Sequence, residues 1–594
     1  MHINTHTQRF WAVLRGFGFG AALLLGSGVG LGVVAQAQQA RPDAVMEKEP
    51  ELPKVVKLAP SELRMLAGRG EAVAMIRLGD LYLNGEGVPE NHAEALQWYT
   101  QAANAGDTLG MARLGRMYWR GQGVEAQRDE AMFWYNRAMG RGEGRAAFYL
   151  GYSYVHGEAV EVDHAKAAEW YRRGIELGDS GSYNNLGVLY ARGEGVEQSR
   201  QRANELYQLG VDAGDTTAMY NLGVSYELGR GFEVDLVRAA ELYGRAAELK
   251  HEKAMFEMGR AYRWGRGVPE DIPKAHQWTR LSADMGHGPA MNQLGLFYRN
   301  GIGVPRNYQE SVRWFRKGAE VNDRQATHNV GYAYQRGWGV KRDLAQELRW
   351  YRKAAELGQR RATFRIARAY ELGRGLTRDY DEAIRWYIRA ADGGYAPAMN
   401  NLGAMYAGGR GVDKDWVEAT KWYRRAAQRG QRHAMFNLAH AYSNGNGVAV
   451  DHAQAAHWYR RAADAGDIDA MLNLGVAYAD GRGVEQSWEE ARRWYRKSAE
   501  GPRGGHGTAW SNLAGIYVDG LGVEKDIPRA IGYYRRGIEL NNRHAMFFLG
   551  RLYEQGNGVE QDMDQALELY KRSARGGGDR AKERLRELGV AWDE

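Results

Sequence analysis

Residues 398–427 contain Ala398-Met399-Asn400-Asn401-Leu402-Gly403-Ala404-Met405-Tyr406, then Gly409-Arg410-Gly411-Val412, Asp415, Ala419, Trp422-Tyr423 and Ala426-Ala427. Leu402 and Tyr406 lie four apart and Met399 three before Leu402, which is the apolar stripe of an amphipathic helix, called helix A below. The glycine segment closes it: a glycine takes the positive φ of a helix C-terminus and Val412 folds back onto the core. Three residues on, Asp415 is an N-cap, its carboxylate accepting from the orphan N–H groups of a second helix, helix B. Ala419 and Ala426 let helix B approach a neighbour, and Trp422-Tyr423 fill the space between. The position of Gly403 is striped through the middle of helix A, where glycine costs about 1 kcal/mol against alanine, so close helix contact is expected there.

The leading glycine of this turn stands at 85, 121, 157, 193, 229, 265, 301, 337, 373, 409, 445 and 481, then at 520 and 556. The first twelve are 36 residues apart, and the next interval, of 39, holds the glycine-rich run 501–507. That run reads either as a bend or as a tolerated surface insertion. A period kept this strictly predicts an all-α solenoid of about 14 tandem 36-residue helix pairs. The array also accounts for 78 glycines in 594 residues, a length beyond the roughly 250–300 residues at which single cores stop growing.

The flanks read differently. Residues 1–37 carry Arg9 and Arg15, an apolar run from Phe17 to Val34 and an Ala35-Gln36-Ala37 end, the three parts of an export signal with cleavage expected after Ala37. Residues 38–60, with four prolines and mixed charge, read as a flexible linker. The solenoid is expected over 61–577, opening on a capping helix at Ser61–Arg69, and a polar C-terminal cap over 578–594. No later run approaches the ~20 apolar residues of a membrane span.

Composition excludes several chemistries. The chain has no cysteine, so it offers no disulfide framework, no thiolate metal ligand and no cysteine nucleophile. Its formal charge of +7 falls to +5 without the leader, too small a balance for a general nucleic-acid binder. The glycine turns lack the preceding strand and the Lys-Ser/Thr pair of a phosphate loop. Fifteen histidines form no His-Glu-x-x-His motif, and His92, His164 and His452 merely repeat one position after the N-cap. No metal, cofactor or catalytic cluster is expected.

The unit A-x-x-x-L-G-x-x-Y-x-x-G-x-G-V-x-x-D-x-x-x-A-x-x-W-Y-x-x-A-A resembles the Sel-one-like repeat (SLR), a tetratricopeptide-like helical repeat, over residues 71 to about 577. The resemblance implies a right-handed superhelix of antiparallel helix pairs and an adaptor role in assembling protein complexes. Exported bacterial members serve at the envelope, in exopolysaccharide secretion, in peptidoglycan-linked regulation or against host proteins. Absence of cysteine separates this chain from the cysteine-rich members and from the lipoprotein members of polysaccharide export.

In a tetratricopeptide-like superhelix, helix A lines the concave face, and residues three before, one after and four after the position of Gly403 point into it. The resemblance thus assigns a partner-binding groove to Phe148, Tyr152, Val155, Tyr220, Phe256, Arg260, Arg263, Arg299, His328, Tyr332, Phe364, Arg368, Phe436, Phe547 and Arg551. Such an aromatic and basic surface suits an extended acidic peptide or an anionic polysaccharide. The competing reading packs the rings between neighbouring repeats and leaves the arginines to solvent. The asparagine before Leu402 recurs at 185, 221, 329, 437, 473 and 512 and reads as structural, bonding loop backbone. The expected function is a non-enzymatic protein-binding scaffold, periplasmic or secreted, with envelope or host proteins as partners. A binder of cell-wall or anionic exopolysaccharide is the alternative, and a cell-wall-related hydrolase a more distant one.

Overall fold

The computed structural model describes residues 58–157, 159–502 and 505–592. The expected leader and residues 38–57 of the expected linker lie outside the described residues. Among the described residues every regular element is a helix, and the helices alternate along the chain as A and B partners. In the tenth repeat helix A is Ala396–Gly408 and helix B is Trp416–Gln428.

Local chemistry sets the boundaries. Gly409 ends helix A at φ 62°, and Gly411 follows at φ 73°. Asp415 caps helix B, its side chain accepting from the Glu418 N–H at 2.9 Å. Gln127, the one glutamine at this position, makes no such bond. The turn of the third repeat departs from the glycine pair: Ala159 takes the second place and is held at φ 63°, a conformation that costs a residue with a Cβ roughly 1–2 kcal/mol.

The glycine in the middle of helix A is explained by a ring. A Cβ on Gly403 would lie 2.7 Å from the Tyr423 ring and 3.0 Å from the Ala419 carbonyl oxygen. Helix B's tyrosine therefore lies flat on bare backbone of the helix A in its own repeat. The same collision recurs from Gly79 against Tyr99 to Gly550 against Tyr570. Where Ala367, Ala439 and Ala514 replace the glycine, the methyl is accommodated with Tyr387, Tyr459 and Tyr534 still buried.

Successive repeats are also stitched by polar contacts. An arginine of one helix B donates to the tyrosine of the next helix A eighteen residues later: Arg172 to Tyr190 at 3.2 Å, Arg316 to Tyr334 at 2.8 Å and Arg424 to Tyr442 at 3.0 Å. This contact gives the Tyr406 position of the repeat its job.

The chain divides into two compact units, one of residues up to Ala261 with Gly265–Pro269, the other of Tyr262–Trp264 with the residues from Glu270 on. The first has one continuous core running from Leu63 to Leu206. It opens on the helix Pro60–Gly68, which buries Leu63 and Ala67. The second has a core from Ala367 to Trp494. Across the 501–507 run, Ala499, Ala509 and Leu513 share one buried cluster, so packing continues past the added residues as it does past a surface insertion. The helix Asp579–Glu587 buries Ala581 and Leu585. No helix among the described residues is long and apolar enough to cross a membrane.

Candidate partner-binding face

The helix B tyrosine lies on helix A at the position of Gly403, which is alanine in the ninth and eleventh repeats, and the residue three before that position comes to rest beside the same ring. Phe364 packs on Tyr387 at 5.8 Å, Phe436 on Tyr459 at 5.8 Å, Phe547 on Tyr570 at 5.6 Å and Tyr220 on Tyr243 at 5.8 Å, measured between ring centroids. These rings are anchored within their own repeat rather than between repeats, and all four stay half-buried. Phe256 and Val155 are half-buried as well.

Three of the expected groove residues are core. Phe148 is 0% and Tyr152 2% exposed. Gly181, at the start of the next helix A, has its Cβ position 3.2 Å from the Phe148 ring, so that helix closes over the ring. Tyr152 packs edge-on to Trp119 at 6.1 Å. Neither offers a face to a partner, which corrects their place in the groove. His328 is buried too and stacks on Tyr351 at 5.1 Å; burial, then Arg361 and Arg365, push its pKa down to about 3, so it is neutral.

The arginines fall into two groups. Arg260 donates to buried Glu257 at 2.6 Å, and Arg368 lies 3.7 Å from Glu371. Arg263 and Arg299 lie instead over aromatic rings, Arg263 at 4.8 Å from Trp264 and 5.2 Å from Phe297, Arg299 at 5.9 Å from Trp338. Partial burial lowers the pKa of both. Tyr332 meets the Trp338 ring edge-on at 5.4 Å, and Arg551 is exposed.

Sequence reading missed the acids of this face. Tyr243 donates to Glu227 at 2.9 Å and Tyr570 to Glu554 at 2.6 Å, and Tyr387 donates to Glu371. Each acid stands sixteen residues before its tyrosine, a spacing that could have revealed the pairs. In the first repeat Tyr99 donates to Asp80 at 2.7 Å; burial outweighs that bond and raises the Asp80 pKa to about 6. Burial likewise raises Glu257 to about 7 against the opposing effect of Arg260. Glu227, Tyr243, Glu257, Arg260 and Arg266 line a cavity of about 20 Å³, room for a single water.

The asparagines also find different partners from those expected. Asn221 donates to Asn184 at 2.7 Å, Asn329 to Asn292 at 2.7 Å and Asn437 to Asn400 at 3.0 Å, each across to the preceding repeat. Asn185 and Asn401 donate to the hydroxyls of Tyr171 and Tyr387. The asparagines are structural, but Asn221, Asn329 and Asn437 reach the preceding helix A, Asn185 and Asn401 the preceding helix B, and Asn473 the Asp469 carbonyl oxygen of its own helix, rather than loop backbone. Among the described residues no group of His, Asp and Glu is placed to hold a metal ion.

Repeated helix pairs with a half-open helix A face define an α/α repeat protein of the tetratricopeptide-like class. The chain belongs to the Sel1 repeat family, whose model matches residues 72–107, 108–139, 144–179, 180–215, 216–251, 252–287, 288–323, 324–359, 360–395, 396–431, 432–467, 468–501, 511–542 and 543–578. Repeats of this kind generally mediate protein–protein interaction. Among solved structures, the chain is similar to a protective antigen of uropathogenic Escherichia coli strains displaying an SLR fold, at 29% identity and TM-score 0.46, covering 83% of this chain and 97% of that one. It is similar to a Sel1 repeat protein from Oxalobacter formigenes at 30% identity and TM-score 0.36, covering 41% of this chain and 96% of that one. No curated protein matches.

Proposed function

We propose that this chain is a non-enzymatic scaffold, periplasmic or secreted, that binds partner proteins along the helix A face of its Sel1 repeats. The observation that carries the reading is the state of the rings on that face: Phe364, Phe436 and Phe547 stay half-buried although repeats stack on either side of each. A ring anchored on one edge and open on the other is a pre-ordered contact, costing little side-chain entropy when a partner covers it. The leader-like segment 1–37 supports an exported setting, in which envelope or host proteins are the available partners.

The test is crosslinking and affinity capture of the exported protein from its own envelope, with Phe364→Ala/Phe436→Ala beside the native chain. Recovery of defined proteins by the native chain, reduced at least ten-fold in the double variant while its helical signal is unchanged, is the expected result. Recovery of no defined protein, with salt-sensitive retention on wall or exopolysaccharide material, would replace the scaffold with a glycan binder.

A further inference from the structure

One slot of the repeat changes its chemistry in the middle of the array. The residue four after the helix A glycine faces the middle residue of the next repeat's turn, 39 positions later. In two places this slot holds a closed ion pair, Glu227 with Arg266 at 3.5 Å and Glu371 with Arg410 at 3.1 Å. At Arg263 and Arg299 the polarity is reversed: the helix residue is the cation, and the turn residues in register are Ile302 and Trp338. The fold does not require this, since the fifth repeat fills the same slot with Glu227 against Arg266 and the ninth with Glu371 against Arg410.

The reversed slot is built. Arg299 lies 5.9 Å and Arg336 5.5 Å from the centre of the Trp338 ring, whose plane is also stacked, at 11° and 5.4 Å, on Tyr308. Arg336 is also 5.8 Å from Tyr332. Arg263 is held on Trp264 and on the buried ring of Phe297, and Trp264 itself is 47% exposed. Among the described residues, Arg263, Arg299 and Arg336 make no ion pair. Three guanidinium groups are thus pinned to aromatic faces; the Arg299 Nε–H is taken by Asn300 Oδ1 at 3.1 Å, and the terminal N–H groups are left for an external acceptor.

We propose that Arg263, Arg299 and Arg336 form a carboxylate-binding strip for an extended acidic peptide segment of a partner protein. The inference rests on the scaffold reading and names the chemistry of what is bound. Peptide is favoured over polysaccharide because the Trp338 ring is covered by Tyr308 and by guanidinium groups, so forks rather than flat faces face the ligand. A polyproline II chain repeats every three residues over about 9 Å, so acidic residues at every third position line one face of it, each carboxylate available to a forked arginine.

The experiment is fluorescence anisotropy of labelled (Glu-Pro-Pro)4 with the full chain, (Gln-Pro-Pro)4 serving as the uncharged control. Saturable binding is expected for the acidic peptide alone. It weakens at least ten-fold in Arg263→Gln/Arg299→Gln/Arg336→Gln and not in Arg173→Gln/Arg536→Gln, with circular dichroism unchanged in both variants. Absence of peptide binding, or equal affinity in the triple variant, overturns the strip, as does binding of polygalacturonate, but not the peptide, through the same three arginines. If the triple variant captures the same envelope proteins as the native chain, the strip fails while the scaffold stands. If the native chain captures none, the scaffold fails by itself.

Discussion

The third and ninth repeats carry a phenylalanine at one and the same position, and the two rings have opposite fates. Phe148 and Phe364 each rest on the tyrosine of their own helix B, at 6.0 and 5.8 Å. Phe148 is nevertheless sealed beneath the next helix A, which opens with Gly181, whereas Phe364 meets the ring of Tyr395 at 5.3 Å and stays half-open. Four residues on, Tyr152 is core while Arg368 reaches Glu371. Position within the repeat sets the direction of a side chain, and the neighbouring repeat decides whether that direction is surface.

Phe148→Ala should cost about 3–5 kcal/mol, the range for emptying a sealed aromatic site, and Phe364→Ala about 1 kcal/mol because its open edge is already solvated. Urea unfolding followed by hydrogen exchange of the altered repeat reads both, and equal costs would erase the distinction. Four residues after the glycine position the two repeats differ again, Val155 in the third and Glu371 in the ninth. Glu371→Ala takes the acceptor from the Tyr387 O–H, which keeps only the bond from Asn401, and loosens Arg410, an expected loss of about 1–3 kcal/mol; Val155→Ala should lose about 1 kcal/mol.

The carboxylate–tyrosine contact of the ninth repeat has a counterpart in the first, where it should be visible as a pH dependence. Asp80 is raised from 3.8 to about 6, so the folded chain holds that proton more tightly than the unfolded chain. Its contribution to stability is complete below about pH 4 and is lost as pH rises toward 6 and above, roughly 2–3 kcal/mol in all. Asp80→Asn should flatten the change in stability of the first repeats between pH 4 and 7, and an unaltered slope would assign it to other groups. The smallest effect is in the turns. Ala159→Gly should gain about 1 kcal/mol by relieving a left-handed alanine, while Gly375→Ala in the ninth repeat should lose stability, its Cβ falling 2.7 Å from that of Leu344. Chemical denaturation of the two variants compares them directly.

What could be read from the residues alone is what depends on near neighbours in the chain. Turn glycines, helix B caps and the alternation of A and B helices are local backbone chemistry, and they appear in the structure where their spacing puts them, apart from the cap at Gln127, whose side chain makes no such bond. The collision that explains Gly403 was legible only in part: a close contact was expected there, but its partner, Tyr423, belongs to the helix folded back from the same repeat. The acids of the helix A face were legible in principle, since Glu227, Glu371 and Glu554 stand at a constant distance from their tyrosines, but a groove read as aromatic and basic leaves carboxylates out. The asparagines were assigned to loop backbone because their acceptors, Asn184, Asn292 and Asn400, lie one repeat away.

The amino-acid sequence by itself determined the period, the helix pairs, the turns and the membership of the Sel1 repeat family, because each repeat folds on contacts made within about 36 residues and the same solution is copied along the chain. Packing between repeats sets which copies of a position are buried, which arginines are neutralised by carboxylates and which are left on rings. Those outcomes depend on side chains supplied by the adjoining repeat, and burial and charge pairing are properties of the packed interface rather than of either repeat alone.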